Sequence, residues 1–234
     1  LYILLIGGPV LLVALAARND GLIWRVGVAG ARFALWLAGV KVRVEGTERL
    51  DLSRTYLFMS NHVGNVDPPA EVVHLPQRVA IIAKHDVFKI PVLGRALRFT
   101  GFIPIYRGTA QAASTVEGGI ANLRAGRSML VYPEGTRSPT GEMLPFRRGV
   151  FVMAIRAGVP IVPLTITGSR AIMRKGDPRI YPGDVQLIIH DPIPTAGLTE
   201  DDRFALAERV REAIASALPE IQTPAPVTEN SAKS

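Results

Sequence analysis

Apolar residues along this chain fall into two kinds of pattern, short continuous runs and longer segments with helical spacing. Seven runs read as strands, at residues 42–44, 55–59, 79–83, 102–106, 128–132, 161–167 and 184–190. Between them, residues 70–74, 92–99, 110–125 and 148–157 carry helical patterns, and a last helix opens at Thr199 and runs to about Leu218. Asp201 and Asp202 fall in its first turn, where the helix dipole favours negative charge. Such alternation predicts an α/β fold over residues 40–218: a single domain with a largely parallel seven-stranded sheet covered by helices on both faces.

The flanks read differently. Residues 1–17 are almost wholly apolar, broken by Gly7-Gly8-Pro9 and ended by Arg18-Asn19-Asp20-Gly21. As a helix this stretch would be roughly 25 Å long, slightly short of a hydrocarbon core of about 30 Å. In a second helical stretch, residues 22–38, Arg25 and Arg32 continue a seven-residue spacing from Arg18, and Trp36 falls near the same side. Arginine and tryptophan beside apolar surface suit a membrane interface, so residues 1–39 are expected to form a membrane-associated two-helix arm. Residues 219–234, polar and proline-containing, read as a disordered tail.

Bulk composition narrows the partners. Hydrophobic residues make up 48% of the 234 and the mean hydropathy is +0.24, which points toward a bilayer surface. A net charge of +7 calls for anionic partners, either phospholipid and phosphorylated substrates or nucleic acid. Aromatics are only 6%, with no zinc-ligand spacing, RNA-binding aromatic signature or basic heptad region, so nucleic acid is not expected. The chain has no cysteine, which excludes disulfides, thiolate metal sites and a cysteine nucleophile. Its four histidines, His62, His74, His85 and His190, show no ligand spacing, so no metal is expected.

The chemistry centres on Asn61-His62-Val63-Gly64-Asn65-Val66-Asp67. A buried strand ends at Ser60, and Asp67-Pro68-Pro69 reads as a helix cap and first turn. His62 therefore sits on a tight strand-to-helix turn, where α/β folds present reactive groups. Asp67 taken alone fits an ordinary N-cap. So short a turn can also bring its carboxylate to one imidazole nitrogen and leave the other free to take a proton. Backbone N–H groups near Gly64, or at the helix beginning with Asp67, are the candidates for stabilising an oxyanion.

Two further strand ends add charge. Residues 101–108 deliver Arg107 where a guanidinium can fork onto a phosphate, and Lys84 follows the strand at 79–83. Pro133-Glu134-Gly135-Thr136-Arg137-Ser138 concentrates a carboxylate, a flexible glycine, a hydroxyl and a guanidinium in one turn, a mixture that a solvated turn does not need. Phe146-Arg147-Arg148-Gly149 then opens a helix with more basic charge.

These blocks resemble the glycerolipid acyltransferases. Asn61-His62 with Asp67 matches their HX4D signature, residues 102–107 their second block, residues 133–138 their Pro-Glu-Gly-Thr-Arg-Ser block and residues 159–163 their fourth. Order and spacing agree over residues 40–167, and the nearest likeness is to the PlsC type, which acylates 1-acyl-sn-glycerol-3-phosphate. The chain departs from the pattern at Tyr106, where an acidic residue is common, and at Asp86-Val87 in place of Glu-Leu. The resemblance implies that His62 is the general base and Asp67 its orienting partner. It implies that Asn61, Lys84, Arg107 and the turn Glu134-Gly135-Thr136-Arg137 bind substrate.

It further implies lysophosphatidic acid as acceptor, acyl-CoA or acyl carrier protein as donor, no other cofactor, and a place at the cytoplasmic face of the cell membrane. With no cysteine and no Gly-x-Ser-x-Gly elbow, transfer is expected to be direct. Three other readings stand beside it: a different lysophospholipid acceptor, a hydrolase whose base activates water, and a non-catalytic basic protein that binds membranes.

Overall fold

The computed structural model describes residues 12–14, 16, 19–105, 112–177 and 179–219. Its seven strands are β1 (Val40–Glu45), β2 (Leu57–Ser60), β3 (Val79–Lys84), β4 (Ile103–Ile105), β5 (Ser128–Val131), β6 (Ile161–Thr167) and β7 (Gly183–Ile189). They form one sheet in the order β1-β7-β6-β2-β5-β3-β4. Five neighbours, β6 to β4 across the sheet, run parallel; β7 is antiparallel to β6, and β1 follows β7 in parallel. The expected largely parallel seven-stranded sheet is thus present, with one reversed pair at an edge.

Central strands with both faces covered need no polar side. All four residues of β2 and all four of β5 are buried. Alternate residues then feed two cores. Tyr56, Phe58 and Leu130 face a cluster closed by helices α1 (Asp20–Leu37) and α2 (Asp67–His74). Leu57, Met59, Met129 and Val131 face the other, closed by α4 (Ala112–Arg124), α5 (Gly149–Ala157) and α7 (Arg203–Ala215). Two shorter helices, α3 (Leu93–Phe99) and α6 (Ser169–Ile172), sit in the connections. The last helix starts as expected. Thr199 and Asp202 form a reciprocal capping box ahead of α7.

The N-terminal expectation changes at α1. Most of residues 1–17 lie outside the described residues, as do residues 220–234 of the expected tail. Helix α1 is capped by Asn19, whose Oδ1 accepts the Leu22 N–H at 3.1 Å. It is not a detached arm: Ile23 and Leu35 are buried, Trp24 meets Phe102 and the cluster that includes α2 takes Val28 and Ala31. The opposite face carries the expected exposed Arg25, Arg32 and Trp36, and adds exposed Phe33 and Leu37. Among the described residues no helix is long and apolar enough to cross a membrane.

Because β6, β2, β5, β3 and β4 share one direction, their carboxyl ends open on one edge. The segments after β2 and β5 and the last residue of β3 carry residues singled out from sequence, and the segment after β6 packs beside them. Ligands of open α/β sheets bind outside that edge.

Candidate active site

Helix α2 begins at Asp67 itself, with Val66 in the capping position. Asp67 therefore does not act as the N-cap. Its fully buried carboxylate turns back, and Oδ2 alone accepts His62 Nδ1 at 2.7 Å, the Val63 N–H at 2.8 Å and the Gly64 N–H at 2.9 Å. A carboxylate on Nδ1 holds the proton there and leaves the lone pair on Nε2. That second nitrogen has no hydrogen-bond partner among the described residues, and the side chain is 15% exposed. Several of the N–H groups considered for an oxyanion are thus occupied by protein partners or missing. The Val63 and Gly64 N–H groups are engaged, Pro68 and Pro69 have none, and the Ala70 N–H bonds Val66 O.

Glycine is required at position 64 for room. A Cβ there would lie 2.7 Å from the carbonyl oxygen of Ser169, in the segment after β6. Asn65 N donates to Met173 O at 2.8 Å in the same segment, so the turn carrying His62 is seated on residues 169–174. On its other side Ser138 N donates to His62 O at 2.8 Å.

Glu134 and Asn61 have positions that differ from the substrate contact expected of them. Glu134 is buried; Oε1 accepts the His62 N–H at 2.8 Å and Oε2 the Leu144 N–H at 2.9 Å. Burial nevertheless pushes its carboxyl up to about 7. Asn61, also buried, pairs with the backbone of Ile166 in both directions, at 2.9 and 2.8 Å. Both side chains fix the strand end that presents His62, and neither lines the cavity.

That cavity, of about 760 Å³, has His62 in its wall together with Lys84, Gly135, Thr136 and Arg137. Arg137 is hydrogen-bonded to Asn65 Oδ1. Lys84, exposed at the end of β3, is paired with Asp86 Oδ2 at 2.6 Å, and hydrogen bonds from Lys84 and Lys89 hold the Asp86 carboxyl at about 2. Arg107 lies outside the described residues.

Two more cations line the cavity. Arg147 lies over Gly135, where φ is +70° and a Cβ would sit 2.3 Å from its Nε. Lys175 reaches Thr136 Oγ1 at 3.4 Å and Arg137 O at 3.3 Å. The Arg147-Arg148 pair was visible as basic charge in the sequence, whereas Lys175, in a loop 38 residues beyond Arg137, carried no signal. The remaining wall is apolar, with Ile81, Ile82, Leu97, Phe102, Val131 and Val150. One chamber thus joins a base, a cationic rim and a greasy lining.

Tyr132 completes it. Its ring stacks on the His62 imidazole with centroids 4.0 Å apart and planes inclined by 18°, and its hydroxyl is hydrogen-bonded to Glu71.

An oriented base facing an apolar chamber with a cationic rim is the apparatus of group transfer onto a lipid alcohol, and comparison with known proteins places the chain accordingly. The Acyltransferase family model matches residues 41–167, and the chain belongs to that family. Its relatives include human 1-acyl-sn-glycerol-3-phosphate acyltransferase alpha, 36% identical over 190 residues, covering 80% of this chain and 67% of that protein. A 1-acyl-sn-glycerol-3-phosphate acyltransferase of Borreliella burgdorferi is 29% identical over 192 residues, 82% of this chain and 77% of that one. The chain spans about two thirds of the length of the mammalian relatives. The crystal structure of PlsC, the 1-acyl-sn-glycerophosphate acyltransferase of Thermotoga maritima, superposes with a TM-score of 0.77 at 27% identity, over 89% of this chain and 85% of that chain.

Proposed function

We propose that this protein transfers a fatty acyl group from a thioester, acyl-CoA or acyl carrier protein, to the free hydroxyl of 1-acyl-glycerol-3-phosphate, giving phosphatidic acid. The observation that carries this reading is His62 Nε2, without a hydrogen-bond partner among the described residues, in the wall of a chamber whose rim bears Arg137, Arg147 and Lys175. The names of the relatives support the choice of acceptor.

In the proposed reaction Nε2 takes the hydroxyl proton as the alcohol oxygen attacks the thioester carbonyl carbon. Asp67 stabilises the imidazolium that forms. When the tetrahedral adduct collapses the C–S bond breaks, and the proton passes from Nε2 to the departing sulfur, leaving ester and thiol. The cationic rim holds the acceptor's phosphate, with Arg137 offering a planar fork and Lys175 a point charge. The apolar wall shelters acyl chain.

The exposed Phe33, Trp36 and Leu37 on α1, with Arg25 and Arg32 on the same helix, support a seat on the bilayer for this proposed lipid enzyme; the face we propose is the cytoplasmic one. Steady-state kinetics of Arg137→Ala and Lys175→Ala test the phosphate assignment. The expected result is a KM for lysophosphatidic acid raised about tenfold or more, with kcat changed far less. Unchanged acceptor saturation in both variants would remove the phosphate from this rim.

A further inference from the structure

Glu71 is a fully buried carboxyl that the proposed reaction leaves without a task. It lies one helical turn beyond Asp67 on α2, so the two acids share a face. Its Oε2 accepts the Tyr132 hydroxyl, and the Tyr132 ring is the plate stacked on His62. The nearest polar groups are Asp67 on its own helix, Ser60 at the end of β2 and Tyr132 after β5, and none of them is a cation. Asp67 Oδ1 and Glu71 Oε1 are both buried with no hydrogen-bond partner.

We propose that Glu71 is a positioning residue, a neutral acid that anchors Tyr132 against the His62 imidazole and leaves Asp67 as the one ionised carboxylate of α2. This inference rests on the acyl-transfer reading only for its kinetic consequences. Two ionised carboxylates one turn apart, buried and without a cation, repel each other in a medium that screens little. Burial first, and the charge of Asp67 second, push the Glu71 carboxyl well above its ordinary range. A protonated Glu71 also has a hydrogen to offer from Oε1, and Asp67 Oδ1 is the buried acceptor that lacks one.

The neutral form matters to the base. A second negative charge behind Asp67 would stabilise the imidazolium at the expense of the neutral imidazole that must accept a proton. Among the described residues, the other titratable and charged groups around His62 are Glu134 below its backbone and, across the cavity, Lys84, Arg137, Arg147 and Lys175.

Glutamine is the close mimic of a protonated glutamate. Its carbonyl can accept the Tyr132 hydroxyl, and its amide has two hydrogens to donate and no charge. The test is NMR titration of the His62 imidazole, together with kcat and KM, in Glu71→Gln, Glu71→Leu and Tyr132→Phe. Glu71→Gln is expected to leave the imidazole titration within about 0.3 of a pH unit and kcat within about threefold of the wild type. Tyr132→Phe and Glu71→Leu are expected to lower kcat about tenfold or more, with both KM values within about twofold.

If Glu71→Gln moved the imidazole titration down by about a unit or more, Glu71 would be ionised in the native protein and the proposal overturned. A normal kcat in Tyr132→Phe would overturn the anchoring role, and that conservative variant decides the point if Glu71→Leu does not fold. A wild-type protein that transfers no acyl group would sink the functional reading instead. The titration needs no substrate, and it would still decide the charge of Glu71.

Discussion

Glu134 sits between two opposing effects. Two backbone N–H groups favour its carboxylate, but burial prevails and carries the group from an ordinary 4.5 to about 7. Between those values the folded chain holds a proton that the unfolded chain has released, so stability falls as pH rises through the window. The shift corresponds to about 3 kcal/mol at most, fully lost above pH 7. Glu71 adds to the same trend, since its carboxyl is also raised by burial. The denaturation midpoint is therefore expected to be higher at pH 5 than at pH 8, and Glu134→Gln to flatten the difference. A midpoint that climbed over this range would contradict the assignment. Glutamine at 134 can accept only one of the two N–H groups, so a further loss of about 1–3 kcal/mol at pH 5 is expected.

Among the connecting elements, the turn after β2 and the turn after β5 each carry a glycine, and the two matter for different reasons. A Cβ on Gly64 would meet the Ser169 backbone at 2.7 Å, and a main chain packed on a sheet does not yield easily. Gly64→Ala is expected to destabilise by about 1–3 kcal/mol and to lower kcat by displacing His62, measured by denaturation and turnover together. A Cβ on Gly135 would meet only the flexible Arg147 side chain, although φ of +70° adds strain of about 1 kcal/mol. Gly135→Ala is expected to act mainly on the KM for the acceptor. Equal stability losses in the two variants would contradict this distinction.

The strands were legible because buried parallel strands are written as unbroken apolar runs: β6 lies at residues 161–167 in both sequence reading and structure. Helix α6 was not anticipated, since its four residues offer no periodicity. The dyad of His62 and Asp67 could be read because only four residues of turn separate them. Asn61 and Glu134 resemble ligands in type but are held by main-chain groups of Ile166, His62 and Leu144, which only the fold brings near. The link from Glu71 to Tyr132 spans 61 residues, and no local pattern announces it.

The whole molecule combines a net charge of +7 with an exposed apolar face on α1, where Trp36 and Leu37 are 72% and 70% exposed. In the proposed seat on the bilayer, charge would draw the protein to anionic lipid, and aromatic and aliphatic side chains would hold it there. Replacing Trp36 and Leu37 together by serine is expected to weaken partition onto vesicles containing phosphatidylglycerol about tenfold. Binding should also weaken with salt. Unaltered partition would place the membrane contact elsewhere on the chain.

The first step of the proposed reaction is proton transfer from a lipid alcohol, beside a thioester, to one imidazole steered by Asp67. It is tested most directly by following thiol release from acyl-CoA with lysophosphatidic acid present and absent, in the wild type and in His62→Ala, with products identified. The expected result is thiol release that requires the acceptor, matches phosphatidic acid formed and falls about 10²–10⁴-fold or more in a folded His62→Ala variant. Near-normal turnover without the imidazole, or free fatty acid released whether or not the acceptor is present, would contradict it.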